Sequence, residues 1–218
     1  MPQPPPRRIY VDYDDVVTET ARALAALLRR EGSWAPEEFE DIREFDLHVS
    51  FRLGPAEYDA FMARAHRDEE LLALEEIPGA CATLRAWLDD GLAPVVVTGR
   101  PPYAYAASRA WLDARGLRDL PLVIADKYNR FTGDPPPGVN VAHLDDLRRM
   151  GFLLAIDDAP PALDFVASSG LCPALVFDRP WNRAYGPALP RARTWRELDA
   201  VVRDMVGAAG LEPATLCV

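Results

Sequence analysis

Three acids stand within four positions at the end of an apolar run, Ile9-Tyr10-Val11-Asp12-Tyr13-Asp14-Asp15-Val16-Val17. A β-branched and aromatic run that breaks into carboxylates reads as a buried strand delivering Asp12, Asp14 and Asp15 to a sheet edge. Like charges taken out of water repel, so the group needs an offsetting partner. A divalent cation with oxygen ligands supplies one and leaves a carboxylate free to act as nucleophile or proton carrier. A solvated acidic turn after a strand is the plainer alternative.

Four more strand-like runs end in groups of the same kind. Pro94–Val97 leads into Thr98-Gly99-Arg100, Pro121–Ala125 into Asp126-Lys127, Phe152–Ile156 into Asp157-Asp158, and Ala174–Phe177 into Asp178-Arg179. In open parallel sheets ligands sit beyond the carboxyl ends of the strands, so these are the residues to read. Acids from the first and fourth strands can share a cation, while a hydroxyl, backbone N–H groups and a lysine surround the same point. The Thr98 segment opens a helix whose N-terminal dipole and free N–H groups favour an anion. Together they describe a site for a phosphate bridged to Mg²⁺. Each member also has a plainer reading: Thr98 as a helix N-cap, Asp157-Asp158 as a cap for the next helix, Lys127 as a solvated loop cation. Lys127 is the only lysine among 24 basic residues, a compact point charge where every other cation is a planar guanidinium.

The elements that must position these groups alternate. Helical patterns at Thr18–Arg30, Pro78–Asp90, Tyr103–Arg115, Val141–Met150, Pro161–Ser169 and Thr194–Val206 separate the strands, with Thr194 a plausible N-cap three residues before Glu197. This predicts an α/β chain with a doubly wound, parallel, five-stranded Rossmann-like sheet. Between about Ser33 and Glu76 the rhythm breaks into short helical patches, Pro36–Ile42 and Pro55–Ala65, the size of a lid. The expected organisation is a disordered lead-in over 1–8, an α/β core over 9–17 and 78–207, a helical cap over 18–77, and a tail over 208–218.

Composition narrows the partners. The 218 residues carry a formal net charge of -10, and with a pI near 4.8 and no basic stripe they disfavour a nucleic-acid or anionic-membrane surface. No apolar stretch reaches the length of a membrane span, and Met1–Arg8 lacks the apolar core of a signal peptide. Cys81, Cys172 and Cys217 are odd in number and far apart, which suggests neither a disulfide framework nor a zinc site and makes a reducing cytoplasm the natural setting. His48, His66 and His143 show no metal-ligand spacing and read as surface or cap residues. Trp111, Trp181 and Trp195 read as packing.

The order Asp-x-Asp, Thr, Lys, Asp-Asp, each just beyond a successive strand, resembles the haloacid dehalogenase superfamily of phosphotransferases and phosphatases. The resemblance covers residues 9 to 183, with 18 to 77 in the place of that family's helical cap. It departs from the commonest pattern at Asp15, where many members carry Gly, although Asp tolerates a left-handed turn. The stretch Val176-Phe177-Asp178-Arg179-Pro180-Trp181-Asn182-Arg183 is similar to one in nucleotidase-like members. The resemblance implies that Asp12 is the nucleophile that forms an aspartyl-phosphate. It makes Asp14 the acid and base, with its pKa raised toward working pH and its backbone carbonyl on the metal. It has Thr98 and Gly99 hold phosphoryl oxygens and Lys127 offset charge on the phosphate and Asp12. Arg100 either reaches the substrate or forms a salt bridge at the rim. Asp12, Asp14, Asp157 and Asp158 make up the Mg²⁺ site.

These roles imply a Mg²⁺-dependent phosphomonoester hydrolase acting on a small soluble metabolite, a nucleoside monophosphate by resemblance. A phosphomutase uses the same residues, and a non-catalytic binding or regulatory protein of the same fold is the alternative from another class. A dehalogenase is disfavoured, because an acid at Asp14 suits a leaving alcohol and not a halide. A phosphonate hydrolase is disfavoured too, since the cap contains no lysine. Glu40, Asp41, Asp46, His48, Arg52 and Tyr58 are the cap candidates for contacting the leaving group, with no choice among them. The oligomeric state is not legible.

Overall fold

Ile9 and Val11 face one side of a sheet and Tyr10 the other, and all three are buried. An unbroken apolar run belongs to a strand whose two faces are both covered. The computed structural model describes residues 7–127, 131, 135–139, 141–186 and 188–208. The expected lead-in up to residue 6, residues 130 and 132–134 of a loop read from the sequence as Pro- and Gly-rich between 130 and 138, and the tail from 209 with Cys217 lie outside them. Arg7 and Arg8, expected in the lead-in, already belong to the first strand.

One parallel sheet holds seven strands: β1 (Arg7–Asp12), β2 (Leu92–Thr98), β3 (Leu122–Ala125), β4 (Val141–Ala142), β5 (Phe152–Asp157), β6 (Ala174–Phe177) and β7 (Arg191–Ala192). Their order is β4-β3-β2-β1-β5-β6-β7. The five-stranded expectation is therefore short by the two edge strands. Each has two residues, too few to show an alternation, and each is recruited by the open edge beside it. Ile124 and Ala125 pair with β4, and Val176 and Phe177 with β7. β4 takes the start of the expected helix Val141–Met150, which shrinks to Leu144–Arg149.

The helices are α1 (Thr20–Arg30), α2 (Leu47–Ser50), α3 (Pro55–Ala65), α4 (Asp68–Leu72), α5 (Ala80–Asp89), α6 (Tyr105–Ala114), α7 (Leu144–Arg149), α8 (Pro160–Ser169) and α9 (Trp195–Ala208). On one face Ile9, Val11, Val96 and Ile156 pack with Trp87 of α5, Trp111 of α6 and Trp195 of α9. On the other, Tyr10, Val97, Ala155 and Val176 meet Leu147 of α7 and Leu163 of α8.

The four helices between β1 and α5 carry an apolar cluster of their own. Ala21, Leu24, Leu27 and Leu28 of α1 recur at helical spacing and pack with Ile42, Phe51, Phe61 and Trp181. Pro36–Ile42, expected as helix, keeps only a single 3₁₀ turn at Phe39–Asp41. Chain exit and re-entry run side by side: Ile77 N–H donates to Val17 C=O at 2.9 Å and Glu19 N–H to Glu75 C=O at 3.0 Å.

Candidate active site

Chain order reverses between β1 and β5, and a crevice opens beyond strand ends at such a point. Asp12 closes β1 and Asp157 closes β5, so both carboxylates are carried there by the sheet itself. Asp12, Asp157 and Asp158 are all buried, with one carboxylate oxygen of each within 4.8 Å of the others. Lys127 donates to Asp12 and, at 3.1 Å, to Asp157. Its side chain is 4% exposed, which rules out the solvated-cation reading. The Tyr10 hydroxyl donates to Asp157 Oδ2 at 2.9 Å, and Asp157 Oδ1 accepts the Ala159 N–H at 2.9 Å. Asp158 is fixed by the Trp181 indole N–H at 2.8 Å, while Asn182 bonds its carbonyl at 2.8 Å.

The charge in this corner does not balance. Burial drives the carboxyls of Asp12 and Asp158 well above the ordinary range, with Lys127 opposing at Asp12 and Arg179 at Asp158. Three buried carboxylates converging on one point are a donor set that suits a hard divalent cation, so the residues fit a divalent metal ion.

Asp14 stands apart from that set. Its carboxylate accepts from Thr20 Oγ1 at 2.8 Å, Thr98 Oγ1 at 2.9 Å, and Arg100 through Nε at 3.0 Å and Nη2 at 2.7 Å. Burial opposes its ionisation, but Arg100 and the hydroxyls outweigh burial and hold the carboxyl below its ordinary range. An acid needs the opposite direction, so the expected raised pKa is corrected by this pairing. Arg100 is not at the rim. Its guanidinium is buried over the Tyr13 ring at 4.2 Å and donates to Ser108 Oγ at 2.9 Å.

Asp15 has a structural assignment. Its φ is +57°, the left-handed turn that Gly would also allow. Both carboxylate oxygens accept the Ala21 N–H, at 3.0 and 3.1 Å, in the first turn of α1. Arg179 Nε donates to its carbonyl at 2.6 Å. Burial is the main cause that raises the Asp15 carboxyl to about 7, against Arg179 and the Ala21 bond.

A cavity of about 600 Å³ opens in front of Asp12, Asp14, Asp158 and Gly99. Of the six cap residues expected near the leaving group, Asp46 and Tyr58 line it. Glu40 instead pairs with Arg183, Asp41 with Arg43, His48 with Asp46, and Arg52 stacks on Trp34 at 3.9 Å. Sequence reasoning missed Phe45, Met62 and Tyr103 on the wall, Tyr10 and Thr20 behind the acids, and the polar duty of Trp181 and Asn182. His66, read as surface or cap, also lines the cavity. The alternation of β1 sends Tyr10 opposite to Ile9 and Val11, but nothing in one strand announces that a hydroxyl will meet an acid of another.

No model of a known protein family matches this sequence, and no curated protein matches it. Solved structures do match. A haloacid dehalogenase (HAD) family hydrolase from Deinococcus radiodurans R1, with bound phosphate and sodium, aligns at TM-score 0.56 and 17% identity, over 94% of this chain and 98% of that one. A predicted phosphoglycolate phosphatase from Haemophilus somnus 129pt aligns at 0.56 and 16%, over 90% and 98%. Protein Tyrosine Kinase A from Mycobacterium tuberculosis aligns at 0.60 and 17%, over 91% and 98%. The chain thus has the fold of HAD-family hydrolases. Among the described residues no helix is long and apolar enough to cross a membrane.

Proposed function

We propose that this chain is a Mg²⁺-dependent phosphomonoester hydrolase that works through an aspartyl-phosphate on Asp12. The observation that carries the reading is the buried Asp12, Asp157 and Asp158 cluster with Lys127, at the switch point of a HAD-type fold and facing a cavity. Asp12, Asp157 and Asp158, with the Asp14 carbonyl, would hold the cation. Mg²⁺ supplies charge neutralisation for the phosphoryl oxygens when bound. Lys127 aims Asp12 and opposes the burial that raises its carboxyl, and Thr98 with the Gly99 amide receives the phosphoryl group at the end of β2.

Asp12 attacks phosphorus, the bond to the alcohol oxygen breaks, and that oxygen takes a proton from Asp14. Water then cleaves the acyl phosphate as Asp14 takes the proton back. With Arg100 holding Asp14 ionised, the second half-reaction is prepared and the first is the demanding one. Protonating the alcohol calls for Asp14 to loosen from Arg100.

Residues 18–77 act as the cap in this reading, and the cavity wall supports a substrate class. It presents the aromatic rings of Phe45, Tyr58, Tyr103 and Phe131 and the acids Asp46 and Asp59, with Arg100 and His66 as the basic groups. Since Arg100 is committed to Asp14, a second anionic group on the substrate finds no ready partner there. This favours a monoester of a flat, hydrogen-bonding alcohol such as a nucleoside monophosphate, over small carboxylate-bearing esters. Phosphomutase chemistry would run on the same residues with a second phosphate acceptor in place of water.

The test is release of phosphate from an aryl phosphate and from a metabolite panel, with Mg²⁺ and with EDTA. Wild type should turn over with Mg²⁺, and Asp12→Asn, still folded, should lose about 10⁴-fold or more. Undiminished turnover by that variant sinks the assignment, and no turnover by wild type favours a non-catalytic binder.

A further inference from the structure

A second cavity, of about 480 Å³, lies where the helical insertion meets the ends of β6 and β7, and it shares no lining residue with the first. Arg22, Arg179, Arg183 and Arg193 line it, against two acids, Glu40 and Asp178. A local excess of guanidinium in a chain of net charge -10 needs a reason.

Arg179 sharpens the point. It is 7% exposed, and its Nη2 is the buried side-chain nitrogen left without a hydrogen-bond partner among the described residues. Buried N–H groups are almost always bonded, and guanidinium ones most of all. Its position is set from outside the cavity, by Nε on the Asp15 carbonyl and by the Phe177 ring 4.7 Å away, so the side chain cannot simply turn to water. Arg193 forms no ion pair among the described residues, and Arg22 lies over the Phe39 ring at 4.1 Å. Arg183 is shared between Glu40 and, at 3.4 Å, Asp178.

We propose that this cavity is a ligand site separate from the Asp12, Asp157 and Asp158 cluster, taking an oxyanion of a small molecule among Arg22, Arg179, Arg183 and Arg193. The anion completes the bonding of Arg179 and competes with Glu40 for Arg183, joining the insertion to the sheet through one ligand. Phosphate and carboxylate groups share this chemistry. The site stands on its own residues and does not depend on the hydrolase reading.

Thermal unfolding of the full chain in EDTA tests it, with inorganic phosphate, succinate, or sodium chloride at matched ionic strength. The midpoint should rise by a few degrees with tens of millimolar of one oxyanion and not with chloride. The larger response identifies a phosphoryl or a carboxylate ligand. The double variant Arg22→Ala/Arg193→Ala changes two side chains outside the core and should unfold at the wild-type temperature without anion, yet lose most of the rise. An equal rise in wild type and double variant, or no rise with either oxyanion, overturns the proposal.

Discussion

Asp14 and Asp158 open onto the same cavity, and the fold treats them in opposite ways. Asp14 meets two hydroxyls and a two-pronged guanidinium, and its carboxyl is held below the ordinary range. Asp158 has one indole N–H for its carboxylate and lies beside Asp12 and Asp157, and burial first, then those neighbouring charges, push its carboxyl up. One corner is complete as it stands. The other has the charge and donor set of a place built around something more. An acid with a full set of donors is held in place by the fold alone, whereas a cluster of buried acids short of cations points to a ligand.

Breaking the complete corner should cost most. Arg100→Ala leaves the half-buried Asp14 with two hydroxyls and leaves Ser108 unpaired, and urea unfolding should show a loss of roughly 3 kcal/mol, the low end for breaking a buried pair. Arg100→Lys should recover only part, because an ammonium cannot make the two-pronged contact. Asp14 titrates below its ordinary value in the folded chain. Its stabilisation is therefore complete above the ordinary carboxylate range and is lost as the pH falls through the folded value, so wild type and Arg100→Ala should converge in acid. A loss under about 1 kcal/mol at neutral pH would mean that the contrast between the corners is not energetic.

These two corners also differ in how far they could be read from residues. Asp12, Thr98, Lys127 and Asp157 close the ends of apolar strands or follow them, so the unbroken apolar run that locates a buried strand locates them as well. The partnership of Arg100 with Asp14 spans 86 positions and depends on the angle at which one turn meets another. Local pattern carries no such information. β4 and β7 escaped notice for a related reason, since two residues acquire strand geometry only from the edge they join. Thr194 and Glu197 illustrate the opposite case: the two side-chain hydrogen bonds they make at the start of α9 are local, Glu197 N–H to Thr194 Oγ1 at 3.2 Å and Arg193 N–H to Glu197 Oε2 at 2.8 Å.

Filling the incomplete corner gives the next effect in size. At about 100 times its dissociation constant, Mg²⁺ should stabilise the wild-type chain by about 2.7 kcal/mol, read as a rise in the unfolding midpoint that EDTA reverses. Asp157→Asn and Asp158→Asn each remove a charged donor from the cluster and should abolish most of that rise along with Mg²⁺-stimulated turnover. Arg100→Ala should keep a Mg²⁺-dependent rise, because its damage lies in the other corner. If Asp158→Asn responds to Mg²⁺ as wild type does, the acids that look incomplete are not holding the cation.

Asp15 sits between the corners and should give the smallest effects, because it combines features of both. Like Asp14 it is bonded, through Ala21 N–H at the start of α1; like Asp158 it is buried with its carboxyl raised, here to about 7. Asp15→Ala loses the bond to α1 and keeps a Cβ at φ +57°, so it should cost about 1–2 kcal/mol. Asp15→Gly loses the same bond but relieves the backbone, and should fall between that variant and wild type. Asp15→Asn keeps an oxygen for Ala21 and an acceptable left-handed residue while removing the buried charge. A raised folded-state pKa favours the folded chain at low pH, and that advantage is lost as the pH rises toward 7. In the cation-free protein, Asp15→Asn should therefore come nearest to wild type at about pH 4, gain on it steadily up to pH 7 and be the more stable of the two at pH 8, measured by urea midpoints across that range. A wild-type advantage at pH 8 would show that the Asp15 charge is paid back by Arg179 across the turn, and Asp15 would then belong with Asp14 on the complete side.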